Sequence, residues 1–69
     1  MSYYYKEQSR TTDHTTDGRM SIGEVISLLN YLNSDTQRPW IEAFHYNYDE
    51  TSNRSYLTVI TMNDRPHNT

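Results

Sequence analysis

Met20-Ser21-Ile22-Gly23-Glu24-Val25 decides how the rest of this chain is read. Ser21 and Glu24 stand in the Ser-x-x-Glu spacing of a capping box. In that motif the hydroxyl accepts from the N–H three residues on, and the carboxylate reaches back to the N–H of the serine. Met20 and Val25 flank it as a hydrophobic staple. Apolar residues then recur at Ile22, Val25, Ile26, Leu29 and Leu32, which is helical spacing. The pattern predicts one amphipathic helix over Ile22–Asn33, with Leu29 near the centre of its buried stripe, Leu28 flanking it and Tyr31 on the exposed side. Asn33-Ser34-Asp35 is a natural stop, with Asn33 able to take a left-handed conformation.

On the C-terminal side, Gln37-Arg38-Pro39 breaks the chain before two runs of strand-forming residues, 40–48 and 55–62. The polar turn 49–54 joins them into a β-hairpin. Setting Asp49 opposite Arg54 as a cross-strand ion pair places Phe44 opposite Val59, Tyr46 opposite Leu57, His45 opposite Thr58 and Asn47 opposite Tyr56. Ala43 then meets Ile60, and Ile41 meets Met62. In that register Trp40, Phe44, Tyr46, Leu57 and Val59 share one face. Ile41, Ala43, Tyr56, Ile60 and Met62 share the other. One three-turn helix covers only one face of so small a sheet, so the second calls for another copy of the chain or a different molecule.

N-terminal to the helix the signal is weaker. Residues 2–8, Ser-Tyr-Tyr-Tyr-Lys-Glu-Gln, have strand propensity with poor alternation and are the candidate first strand. Residues 9–18, with Thr-Thr-Asp-His followed by Thr-Thr-Asp-Gly, read as a polar loop closing on an Asp17-Gly18 turn. Residues 63–69 contain Pro66 and read as a flexible tail. The expected architecture is a single small α+β domain, one helix on an antiparallel sheet in the order β-α-β-β.

Composition narrows the class of function. A chain of 69 residues has a core too small to be comfortable alone, and with no cysteine it cannot be stapled by disulfides or thiolate-bound zinc. Its mean hydropathy is −1.01, yet it holds seven tyrosines, one Trp and one Phe, side chains suited to surfaces that are sometimes covered. A net charge of −3 has the wrong sign for an electrostatic nucleic-acid binder. No apolar run approaches the ~20 residues of a membrane helix, and no secretory signal is read, which sets a cytoplasmic expectation.

Catalytic and metal signatures find no support. His14, His45 and His67 lack ligand spacing, and His14 beside Asp13 and Asp17 reads as a solvated charge cluster. No nucleophile motif or glycine-rich phosphate loop occurs, so neither catalytic residues nor a cofactor are assigned. The resulting expectation is a non-enzymatic protein-binding module. It would be a small inhibitor or regulator of a larger protein or complex, of the viral or phage type, self-associating as a homodimer. Because aromatics and arginines dominate interfaces, its binding residues would be Tyr31, Tyr46, Tyr48, Arg54 and Tyr56, with Tyr48 and Arg54 the leading anchors since their place beside the turn leaves them least needed for the core. The alternatives are a single-stranded nucleic-acid binder using a Tyr-rich sheet face, and a structural subunit assembling through its sheet.

Overall fold

A computed structural model describes residues 9–63 and runs β1 (Ser9–Asp17), α1 (Ile22–Asn33), β2 (Trp40–Asp49) and β3 (Arg54–Met62). The strands make one antiparallel sheet in the order β1-β3-β2, so the last strand in sequence lies in the middle. This is the expected α+β class and hairpin. Residues 2–8 and 64–69 lie outside the described residues. The first strand, however, is the stretch that reads as a polar loop. Ser9–Asp17 pairs along its whole length with β3, from Ser9 opposite Met62 to Asp17 opposite Arg54.

Physical chemistry explains that correction. Threonine is a good strand former once a neighbour supplies the ladder. The stretch also alternates: Thr12, His14 and Thr16 are half-buried toward the helix, while Thr11, Asp13, Thr15 and Asp17 point outward. Thr58 Oγ1 donates to Asp13 Oδ1 at 2.8 Å and Arg54 to Asp17 Oδ1 at 2.8 Å, so the outward row is tied to β3 by polar contacts instead of apolar ones.

Gly18, at φ +73°, ends β1 in a conformation that suits glycine. Its N–H donates to Asn53 O at 2.7 Å and its carbonyl accepts from Ser55 Oγ at 2.6 Å, docking the turn on the hairpin tip. The helix starts as its capping box requires. Ser21 is extended, and its Oγ accepts from the Glu24 N–H at 3.1 Å; the Glu24 carboxylate accepts in return from the backbone of Ser21. The helix end differs from expectation. Ser34, right-handed at φ −75°, closes it by bonding Tyr31 O through both N–H and Oγ, so Asn33 is not the left-handed cap.

The hairpin register is as expected from Ala43–Ile60 through Asp49–Arg54, but a bulge between Ile41 and Ala43 shifts the rest. Trp40 now meets Met62 and Ile41 meets Thr61, so these two side chains exchange faces. The Asp49–Arg54 ion pair does not form. Asp49 instead accepts from Thr51 N and Ser52 Oγ within its own turn, both at 3.0 Å, and Arg54 turns to Asp17 on β1.

The core is small. Leu32, Leu57 and Val59 are buried, with Met20, Val25 and Leu28 packed against them. The helix is therefore rolled from the expected stripe. Its sheet-facing side runs through Val25, Leu28 and Leu32, while Leu29 is only half-buried and Ile22 and Ile26 are exposed. Six apolar residues span an arc wider than one contact can cover, and packing selects the part that sits over β3.

Candidate interaction surfaces

Because the helix packs on β3 and meets β1 at His14, Ile41, Phe44 and Tyr46 on the helix-facing side of β2 are left about half exposed. His14, on β1, reaches up to Glu24 on the helix with Nε2 to Oε2 at 2.9 Å. That contact, together with hydrogen bonds from Thr16 and the Ser21 backbone, holds the Glu24 carboxyl below its ordinary value of 4.5 against a smaller desolvation that pushes it up. His14 is thus a strand-to-helix tie and not part of a cluster with Asp13 and Asp17, which point the other way. Arg10 and Arg38 both reach Asp35, at 3.4 and 3.5 Å, and tie the chain beyond the helix to the start of β1.

With the helix held toward β1, an apolar groove opens between it and β2. Near the hairpin tip the groove encloses about 280 Å³, with Ile22 and Ile26 on the helix wall, Phe44 and Tyr46 on the strand wall and Leu57 beneath. Toward the other end a second hollow of about 290 Å³ lies among Leu29, Leu32, Ile41 and Val59, with Arg38 also lining it. Ile41 belongs to this groove because of the bulge. Tyr46 Oη pairs with the buried Ser55 Oγ at 3.1 Å, which holds the ring along the strand wall.

The opposite side of the sheet is covered by no helix among the described residues. It presents Trp40, Ala43, Ile60 and Tyr56, with Trp40 and Tyr56 exposed, beside the polar row of β1. Sequence reasoning anticipated two apolar faces, but not that one would be a groove beside the helix.

The five candidate binding residues are not brought together. Tyr46 and Tyr48 lie on the helix side, Tyr56 and Arg54 on the back, and Tyr31 is exposed on the helix. A single Tyr46–Tyr48–Tyr56 stacking platform is therefore absent. Tyr48 and Arg54 are engaged within the fold: Tyr48 Oη donates to Asn53 Oδ1 at 2.6 Å beneath Arg19, whose guanidinium carbon is 4.1 Å from the ring centre. Arg54 also donates to Thr15 Oγ1 at 3.2 Å. Tyr31 and Tyr56 remain as open aromatic anchors, and Trp40, which sequence reasoning assigned to the other face, joins Tyr56. Arg19 had no signal in the sequence, since its role depends on the turn that carries it over Tyr48.

Among the described residues no group of three His, Asp or Glu side chains could hold a metal ion, and no helix is long and apolar enough to cross a membrane. Compared with protein-family models, curated proteins and solved structures, the chain finds no match.

Proposed function

We propose that this chain is a non-enzymatic protein-binding module, a small inhibitor or regulator of a larger protein or complex. It is of the kind a virus or phage directs at a host enzyme or defence system in the host cytoplasm. The observation that carries the reading is the side of the three-stranded sheet that no helix covers among the described residues, where Trp40 and Tyr56 are 38% and 37% exposed. Aromatic anchors on a preformed surface lose little entropy on binding and dominate interface energies. The paired titratable groups fit the same reading. His14 with Glu24 and Arg54 with Asp17 join one element to another, as structural ties do.

The test is affinity capture from lysate of the cell in which the protein is made, with and without nuclease, using wild type, Tyr56→Ala and Trp40→Ala. One specific protein should be retained through nuclease treatment, and each substitution should weaken its binding by ~1–3 kcal/mol. Retention only of nuclease-sensitive material would replace the reading with single-stranded nucleic-acid binding. The acidic β1 row, Asp13 and Asp17, lies beside Tyr56 and argues against that outcome.

A further inference from the structure

We infer that the groove between α1 and β2 is the interface of a twofold dimer in which β2 pairs with β2 of a second copy. Three observations converge on this occupant. The first is area. Ile22, Ile26, Ile41, Phe44 and Tyr46 are 79%, 53%, 51%, 48% and 42% exposed along one groove. At roughly 150–250 Å² for a fully open Phe or Tyr side chain and about 150 Å² for Ile, these five expose about 400–500 Å² per protomer. A stable dimer needs about 800 Å² per partner, and the pairing edge of β2 contributes much of the remainder.

The second observation is the edge itself. Among the described residues β1 and β2 are the two edge strands, and a long edge is a template for another chain. β1 carries Arg10, Asp13 and Asp17 along its length, and charges of this kind blunt an edge. β2 carries Glu42 and Asp49 toward its two ends, but the six positions between them, 43–48, Ala-Phe-His-Tyr-Asn-Tyr, contain no Asp, Glu, Lys or Arg, and the bulge between Ile41 and Ala43 ends the regular edge. No charged side chain lines the tip half of the groove either, so two copies of a chain with net charge −3 meet there without direct repulsion.

The third observation is geometry. An isologous interface must be complementary to itself. Antiparallel pairing of β2 with its twofold mate makes a six-stranded sheet and puts both helices on the same side. The bare half of each sheet then becomes the middle of the joint one, with Phe44 and Tyr46 of each copy beneath the Ile22 and Ile26 flanks of the two helices. The dimer enlarges a helix-side core that, among the described residues of one copy, is built on the buried Leu32, Leu57 and Val59. The back of the sheet, with Trp40 and Tyr56, stays open.

Sedimentation equilibrium from low micromolar to millimolar protein tests this, with wild type, Phe44→Asp, Ile26→Asp and, as a control on the back face, Tyr56→Ala. Wild type and Tyr56→Ala should pass from one to two protomer masses. Phe44→Asp and Ile26→Asp should keep the wild-type circular dichroism and dissociate at least tenfold more readily. Amide exchange in wild type should slow over residues 43–48 as concentration rises, with β1 unchanged; this readout decides the matter should either variant fail to fold. A single-protomer mass at the highest concentration overturns the inference, as does a dimer indifferent to both substitutions. The inference stands apart from partner binding. A monomer that captures its partner through Trp40 and Tyr56 would refute only the dimer, and a dimer that captures nothing would refute only the proposed function.

Discussion

Replacing Leu32 by alanine should cost far more than replacing Ile26, although both belong to the same apolar helix pattern. Leu32 is 6% exposed and sits in the cluster with Leu57 and Val59, whereas Ile26 stands half open on the groove wall. Removing three buried carbons at about 0.8 kcal/mol each gives ~2.4 kcal/mol for Leu32, and the cavity left behind raises this to ~2.5–4 kcal/mol. The same change at Ile26 removes atoms already half in water and leaves no closed cavity, so about 1 kcal/mol is expected. Leu29, half-buried between the two, should fall at ~1–2 kcal/mol. A chain of this length has a total stability of only ~3–10 kcal/mol, so Leu32→Ala should bring it close to unfolding. Urea denaturation followed by circular dichroism, at protein concentrations low enough to hold the monomer, reads this directly. With a slope near 1 kcal/mol/M, Leu32→Ala should lower the midpoint by roughly 2.5–4 M or abolish the folded baseline. Equal losses at Leu32 and Ile26 would mean that the helix is rolled onto the other half of its apolar arc, and the groove would not exist.

Other substitutions probe the joints. Ser21→Ala removes the hydroxyl that caps Glu24 N and should cost ~1 kcal/mol in the same denaturation assay. Gly18→Ala meets no neighbouring atom within 4 Å, so its cost is conformational alone, ~1–2 kcal/mol from the positive φ. The Glu24 carboxyl is held below 4.5 in the folded chain, so its contribution is complete above that pH and is lost as pH falls through the lowered value. Glu24→Gln should flatten that part of the acid limb of a stability–pH curve, and an unchanged acid limb would count against the His14–Glu24 tie. Asp17→Ala breaks an ion pair whose carboxylate is 87% exposed, and the loss should stay under about 1 kcal/mol.

The helix and hairpin were legible because their signals are local. A capping box reports on one turn, and alternating residues report on their own strand. β1 escaped because Ser-Arg-Thr-Thr-Asp-His-Thr-Thr-Asp has the composition of a loop, and only pairing with β3 makes it a strand. Its trace in the sequence was the alternation of Thr12, His14 and Thr16, which carries no hydrophobic contrast. The bulge between Ile41 and Ala43 had no glycine or proline to mark it, so the face exchange of Trp40 and Ile41 was hidden. The groove follows from where the helix sits, packed through Leu32, Val25 and Leu28 on Leu57 and Val59 and meeting β1 at His14–Glu24, contacts between residues far apart in the sequence or on different elements. Tyr48 and Arg54 read as free anchors because their partners, Asn53 and Asp17, are brought to them by the folded tip.

The measurement that bears most directly on the half-covered sheet is paramagnetic broadening of side-chain NMR signals by an inert soluble probe, recorded on dilute monomer. Ile22, Ile26, Phe44 and the ring of Tyr56 should broaden strongly, while Leu32, Leu57 and Val59 stay sharp. Phe44 and Ile26 as sharp as Leu57 in the monomer would contradict the account, because the helix would then cover β2 and no apolar groove would be open.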